Sequence, residues 1–280
     1  MPWESATDMM FQDSSPGILI AAILAAVVFF MIILITRLWV YPRKKKIVKK
    51  RTREYLTEKF DDLMALRAIL VARKDSGILL YSYVVENEDD VAVKSPDFLS
   101  GVVHAIQNIG KEMGFKEQFS RLVYGNYHII AIPGLYCTVI LVSRTEPSSV
   151  IEDNMLLLVR SFEKKFSAKM RENVGYVNSA DYDGTMDIIR GNFDTFFIEN
   201  MNLLYDPLAM KDDDVSKLGK MILDHALVHF KKHNSVCLKN LFIDMVGGSD
   251  PDFQKKYSKD EIVQEMYDLY KANYFTFFSV

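Results

Sequence analysis

RLVYGNYHIIAIPGLYCTVILVS, residues 121–143, is the stretch from which the fold is read. Three runs rich in β-branched, aromatic and aliphatic residues occupy 121–124, 127–132 and 135–143, separated by Gly125-Asn126 and Pro133-Gly134. Glycine and asparagine accept left-handed backbone angles, and Pro-Gly supplies the two central residues of a type II turn. The pattern predicts a three-stranded meander.

Upstream, residues 67–72 are β-prone, Arg73-Lys74-Asp75-Ser76-Gly77 is a polar turn, and residues 78–85 resume as a strand. Gly77, placed after Asp and Ser, suits the positive φ of a tight hairpin. The acidic loop 86–90 closes that hairpin. Ser95-Pro96-Asp97 then starts a helix, with proline at the first helical position and aspartate complementing the dipole. Phe98, Leu99, Val102, Val103, Ile106, Ile109 and Met113 recur at three-to-four spacing, and Gly114 is a C-cap candidate. Gly101 and Gly110 each cost up to about 1 kcal/mol against alanine inside a helix, which predicts close packing on the sheet. Downstream of the meander, Pro147-Ser148-Ser149 breaks the pattern, and 150–170 predicts a second long helix with Ile151, Met155, Leu158, Val159, Phe162 and Phe166 on one side.

The order is strand, strand, helix, three strands, helix: an α+β layer with a five-stranded antiparallel sheet and helices packed on it. At this point residues 67–171 resemble the roadblock/longin group, and Ser100-Gly101 followed by Ala105-Ile106 is similar to its archaeal members. The resemblance rests on element order and turn placement, and a PAS-like or profilin-like sheet shares much of that order. What it implies is a non-catalytic platform that dimerises and binds small GTPases or trafficking partners. A SNARE role is not implied, since the membrane-bound SNAREs of that group carry their anchor at the other end.

From residue 172 the chain reads as helical. Met186, Ile189, Phe193, Phe196, Phe197, Met201 and Leu204 form an aromatic stripe over 181–205, read as core packing, and Pro207 with Asp212-Asp213-Asp214 marks a boundary. Residues 215–233 and 235–246 are two further helices, and Ser258-Lys259-Asp260-Glu261 opens another as a capping box. With a β-like end at 274–278, residues 215–280 are similar to a winged-helix module. Asp260, Glu261, Glu265 and Asp268 on its last helix favour protein contact over DNA.

The N-terminal part predicts something different. Residues 17–35 carry no charge, and nineteen residues at about 1.5 Å each reach roughly 28 Å, close to a bilayer core. Acids precede this run where a signal peptide would carry positive charge. The run is expected to be a transmembrane helix at 17–41, with 1–16 a short extracytoplasmic tail. The basic cluster behind it, with Arg43, Lys44, Lys45, Lys46, Lys49, Lys50, Arg51 and Arg53, places that flank in the cytoplasm and is a candidate surface for anionic lipid headgroups. The expected organisation is therefore tail 1–16, span 17–41, basic segment and linker helix 42–66, roadblock/longin-like domain 67–171, helical connector 172–214 and helical module 215–280. The expected location is the cell membrane, single-pass, with the N-terminus outside.

Apolar content of 49% with 12% aromatic residues argues for folded cores. The formal charge of −3 hides an acidic body behind the basic cluster, a poor match to nucleic acid. Cys137 and Cys237 read as buried small hydrophobes. His225, His229 and His233 fall one turn apart, but a metal site needs three or four convergent ligands. Asp181-Tyr182-Asp183-Gly184 fails as a calcium loop because its twelfth position is Arg190. Phosphate-loop, nucleophile-elbow and Cys-x-x-Cys motifs are absent. No catalytic residue, metal or cofactor is expected. The sequence predicts a membrane-anchored adaptor that recruits a protein partner such as a small GTPase and forms a homodimer; the alternative is a small-ligand sensor with a C-terminal output module.

Overall fold

The computed structural model describes residues 24–31, 33, 41–85, 95–113, 121–172, 179–205, 215–248 and 251–278. Five strands, β1 (Leu66–Arg73), β2 (Leu79–Val84), β3 (Arg121–Tyr124), β4 (Tyr127–Pro133) and β5 (Cys137–Ser143), form one antiparallel sheet in the order β2-β1-β5-β4-β3. Every residue of β1 and β5 is buried. These two strands read as near-continuous apolar runs because both faces of the sheet are covered. Ala68, Leu70, Ala72, Ile129, Ala131, Ile140 and Val142 face α2 (Pro96–Glu112), which lies on them through Leu99 and Val103. Ile69, Val71, Ile130, Val139 and Leu141 face the other way, into a larger core with Met155, Leu158 and Phe162 of α3 (Ser149–Glu172).

The meander and the hairpin form as the sequence predicts, with two local differences. Gly77 has φ +71° and its N–H donates to the Arg73 carbonyl at 2.9 Å, as a tight hairpin requires. Pro133-Gly134 is not the centre of a type II turn. Pro133 still pairs with Thr138, and Gly134 donates to the Cys137 carbonyl at 2.7 Å, so Leu135 and Tyr136 hold the corner. Gly134 is required by space, because a Cβ there would lie 2.6 Å from Val159 Cγ1. Gly101 does not pack on the sheet: it is exposed, and a Cβ would meet nothing within 4 Å. The expected cap at Gly114 and the acidic loop 86–90 lie outside the described residues.

The expected membrane span is corrected. Among the described residues no helix is long and apolar enough to cross a membrane. The helix that follows, α1 (Tyr41–Ala65), carries the basic cluster and is far too polar to enter lipid. The single-pass location and the outward N-terminus, both inferred from that span, are withdrawn with it. The C-terminal half of α1 is a core element: Leu56, Phe60 and Leu63 are buried in the larger cluster.

Residues 181–205 are not one helix. A 3₁₀ turn (Ser179–Tyr182), α4 (Thr185–Phe193), a second 3₁₀ turn (Thr195–Phe197) and β6 (Asn202–Leu203) divide them. Gly184 (φ +80°) and Asp194 (φ +53°, ψ +46°) adopt left-handed angles that end each helical stretch. The stripe is nonetheless core, since Ile189, Phe193, Phe196, Phe197 and Met201 are buried. Beyond it come α5 (Lys217–His233), α6 (Leu238–Gly247), α7 (Pro251–Lys256), α8 (Lys259–Lys271) and β7 (Phe275–Thr276). Both halves of the capping box form, with Ser258 N–H donating to Glu261 Oε2 at 2.9 Å. The winged-helix likeness is not supported. A wing needs a hairpin after the last helix, whereas β7 pairs with β6 from before the helices.

These helices share the core of the sheet. Phe60 packs edge-on against Phe197 at 5.0 Å and Phe242 at 4.9 Å, and Phe196 stacks on Tyr270 at 3.9 Å. Lys59, 4% exposed, locks the same junction by donating to Asp194 Oδ2 at 2.7 Å and to the Asn192 carbonyl at 3.2 Å. Asp62 on the same helix accepts from Ser148 N–H at 3.1 Å and from its hydroxyl at the start of α3. Burial raises the Asp62 pKa above its ordinary 3.8, although both Ser148 bonds pull it down.

Two outcomes follow for stability. Asp194→Gly keeps the left-handed backbone but strips Lys59 of its carboxylate, and should cost about 3 kcal/mol in urea unfolding. Because the folded pKa of Asp62 is raised, its contribution is present below about pH 4 and lost as pH rises through the folded value. Asp62→Asn should therefore gain on the wild type as urea melts move from about pH 4 to pH 7.

Candidate functional site

Two features of the folded chain can engage something outside it. The first comprises the outer side of α2, which lies over β1 and β2, and, at the far edge of the sheet, β3. Phe98, Gly101, Ala105, Ile109 and Met113 recur along the exposed side of the helix, with Phe98 74% and Met113 68% exposed. The apolar residues expected to share one buried face divide: Leu99 and Val103 turn inward with Gln107, whereas Phe98, Ile109 and Met113 face out. β3 is an edge of the sheet, and its Val123 and Tyr124 are 62% and 74% exposed. Such an edge offers unpaired backbone groups to an incoming strand. Arg121 on β3 is engaged by Glu146, at 3.1 Å, and by Glu152.

The second feature is a cavity of about 590 Å³ along the opposite edge of the sheet. β2 contributes Tyr83, Val84 and, just past its end, Val85; the segment before β6 contributes Ile198, Glu199 and Asn200; the start of α6 contributes Cys237, Lys239 and Asn240. An adjoining cavity of about 500 Å³ shares Asn200, Cys237, Asn240 and Ile243 and adds His229, His233 and Asp244. Glu199 is held by Arg190, whose Nη2 and Nε donate to Oε2 at 2.7 and 3.0 Å, and by the Thr195 hydroxyl. Arg190 also lies 4.2 Å from the centroid of Phe277, so the wall is braced by the C-terminal segment. Burial pushes the Tyr83 phenol well above its ordinary range. Lys239 moves the other way: burial lowers its ammonium pKa, and Arg67 and Arg144 nearby add to the effect.

The residues singled out in the sequence fall as follows. Arg43, Lys44, Lys45, Lys46, Lys49, Lys50, Arg51 and Arg53 all lie on α1; Arg53, the one whose side chain is described, is half-buried. His229 Nε2 lies 2.8 Å from Asp244 Oδ2, and the His229 and His233 rings are 6.2 Å apart. Among the described residues, no three His, Cys, Asp or Glu side chains are arranged to hold a metal ion. Cys137 is buried and Cys237 half-buried, both as free thiols; burial raises both pKa values, helped at Cys137 by Glu163. Sequence reading passed over Lys239, Asn200 and Asn240, since nothing in their spacing joins them.

No family model matches the chain. No curated protein matches it in sequence either. Among solved structures it is similar to a Roadblock/LC7 domain from Streptomyces avermitilis, at 14% identity and a TM-score of 0.30, over 37% of this chain and 87% of that one. It is also similar to Myxococcus xanthus MglB, at 13% identity and a TM-score of 0.29, over 44% of this chain and 95% of that one. Likenesses this shallow decide nothing by themselves. The element order, two strands, a helix, three strands and a helix, is the one on which the resemblance to the roadblock/longin group rests, and it folds as β2-β1-β5-β4-β3.

A thiol held above its ordinary pKa reacts slowly, because the thiolate is the nucleophile. Both cysteines of the folded chain should react with a disulfide reagent at pH 8 at least about tenfold more slowly than in urea.

Proposed function

We propose that this chain is a non-enzymatic platform that pairs with a second copy through the outer side of α2 and the β3 edge, and recruits a protein partner. The roadblock/longin-like order nominates a small GTPase as that partner. Gly101 carries the reading. A glycine inside a helix costs about 1 kcal/mol against alanine. Nothing within 4 Å of Gly101 needs the room that a missing Cβ leaves. The benefit of that room lies outside the monomer, where a second helix can approach closely between Phe98 and Ile109. The β3 edge, at the other side of the sheet, offers a separate strand surface that can extend the sheet into a partner.

A second reading, a small-ligand sensor whose C-terminal helices respond, is favoured by the cavity between β2 and α6. Its walls come from the sheet, from the segment before β6 and from the C-terminal helices at once.

Light scattering of the full chain should report a dimer, and Gly101→Leu should shift it to monomer without lowering the melting temperature. A monomeric wild type, or a dimer unmoved by Gly101→Leu, removes the α2 surface from the reading. Immobilised full chain should enrich small GTPases loaded with GDP or with a GTP analogue. No enrichment in either state removes the GTPase.

A further inference from the structure

The cavity along β2 contains a cation without a counter-ion. Lys239 is half-buried at the start of α6, and its Nζ has one polar contact, the Met64 carbonyl at a long 3.4 Å. Among the described residues no carboxylate lies within ion-pair distance of it. The acids nearest the cavity have partners of their own: Glu199 is clamped by Arg190, and Asp244 in the adjoining cavity meets His229. Arg67 and Arg144 are close enough to depress the Lys239 ammonium further. A half-buried ammonium loses hydration and recovers it only through an anion or several acceptors. Among the described residues Lys239 has neither.

The wall also carries side chains that can donate to a ligand. The Asn200 and Asn240 amides and the Tyr83 hydroxyl line the same space as Lys239. A volume of about 590 Å³ falls in the range that encloses metabolite-sized ligands. We propose that this cavity binds a small organic anion through Lys239, with the carboxylate or phosphate group of the ligand seated against the ammonium and the two asparagine amides. The inference rests on the sensor reading and supplies what that reading lacks, the chemical class of the ligand. Because β2 belongs to the sheet and Lys239 to α6, an anion held there would tie the C-terminal helices to the sheet edge.

The full chain should be titrated calorimetrically with inorganic phosphate and with succinate, at ionic strength matched with sodium chloride, alongside a thermal-shift screen of neutral metabolites. Saturable binding of phosphate, succinate or both is expected, and which of them binds identifies the anionic group. Lys239→Met should weaken that binding at least about tenfold, while Lys239→Arg, which keeps the charge, and Lys231→Gln, which removes an exposed one on α5, should stay within about threefold. A second readout separates ligand binding from a structural role. Without anion, Lys239→Met should melt higher than the wild type, because it removes an unpaired charge, whereas a lysine that holds the fold together would melt lower when removed. Absence of saturable anion binding, or equal binding by Lys239→Met, overturns the proposal. Neutral metabolites binding where anions do not would overturn the anion and leave the sensor reading standing; no shift with any compound would remove both.

Discussion

Two-sided burial of β1 and β5 is the constraint on which this architecture depends. With Ala68, Leu70 and Ala72 pointing to one face and Ile69 and Val71 to the other, β1 cannot be satisfied by a single layer of helix. α2 closes one face; α3, the end of α1 and the C-terminal helices close the other. A strand placed this way contributes apolar burial on both sides, roughly 1.5–3 kcal/mol for each large side chain, and leaves its backbone to be paired by neighbours. Burial at the centre moves every exposure to the margins. The two edges, β3 and β2, are accordingly where the interaction surface and the cavity lie.

Those edges are treated differently. β3 ends the sheet with exposed Val123 and Tyr124, a surface suited to another backbone. β2 is bordered by the segment before β6 and by α6, which stand off it and leave an open cavity with Lys239 on its wall. One edge suits a macromolecule and the other a small molecule, and both have the same sheet as their rigid support. The adaptor and sensor readings therefore concern different parts of one framework, and each can fail without the other.

The aromatic junction of Phe60, Phe197 and Phe242 explains why the C-terminal helices do not behave as a separate winged-helix unit. α1, the 3₁₀ turn at Thr195–Phe197 and α6 meet there ring to ring, and the Lys59–Asp194 pair closes beside them. Breaking that contact would expose apolar surface from three elements at once. β7 reinforces the arrangement by pairing back to β6, upstream of the whole helical set.

By itself the amino-acid sequence determined the elements whose signal is local: the β-branched and apolar runs of the meander, Gly77 in its hairpin, the proline at the start of α2, and the Ser258–Glu261 capping box. These follow from backbone sterics and from hydrogen bonds that span a few residues. Hydropathy alone misled at 17–41, where an apolar run was read as a span. It also misled at 181–205, where helical spacing concealed the left-handed residues Gly184 and Asp194. Tertiary structure alone decided that Gly101 faces outward, that Glu199 already has its arginine, and that among the described residues Lys239 has no carboxylate beside it. The reason is physical: whether a charge is paired or a glycine is crowded depends on groups brought together from distant parts of the chain, and that is a property of packing, which sequence spacing does not record.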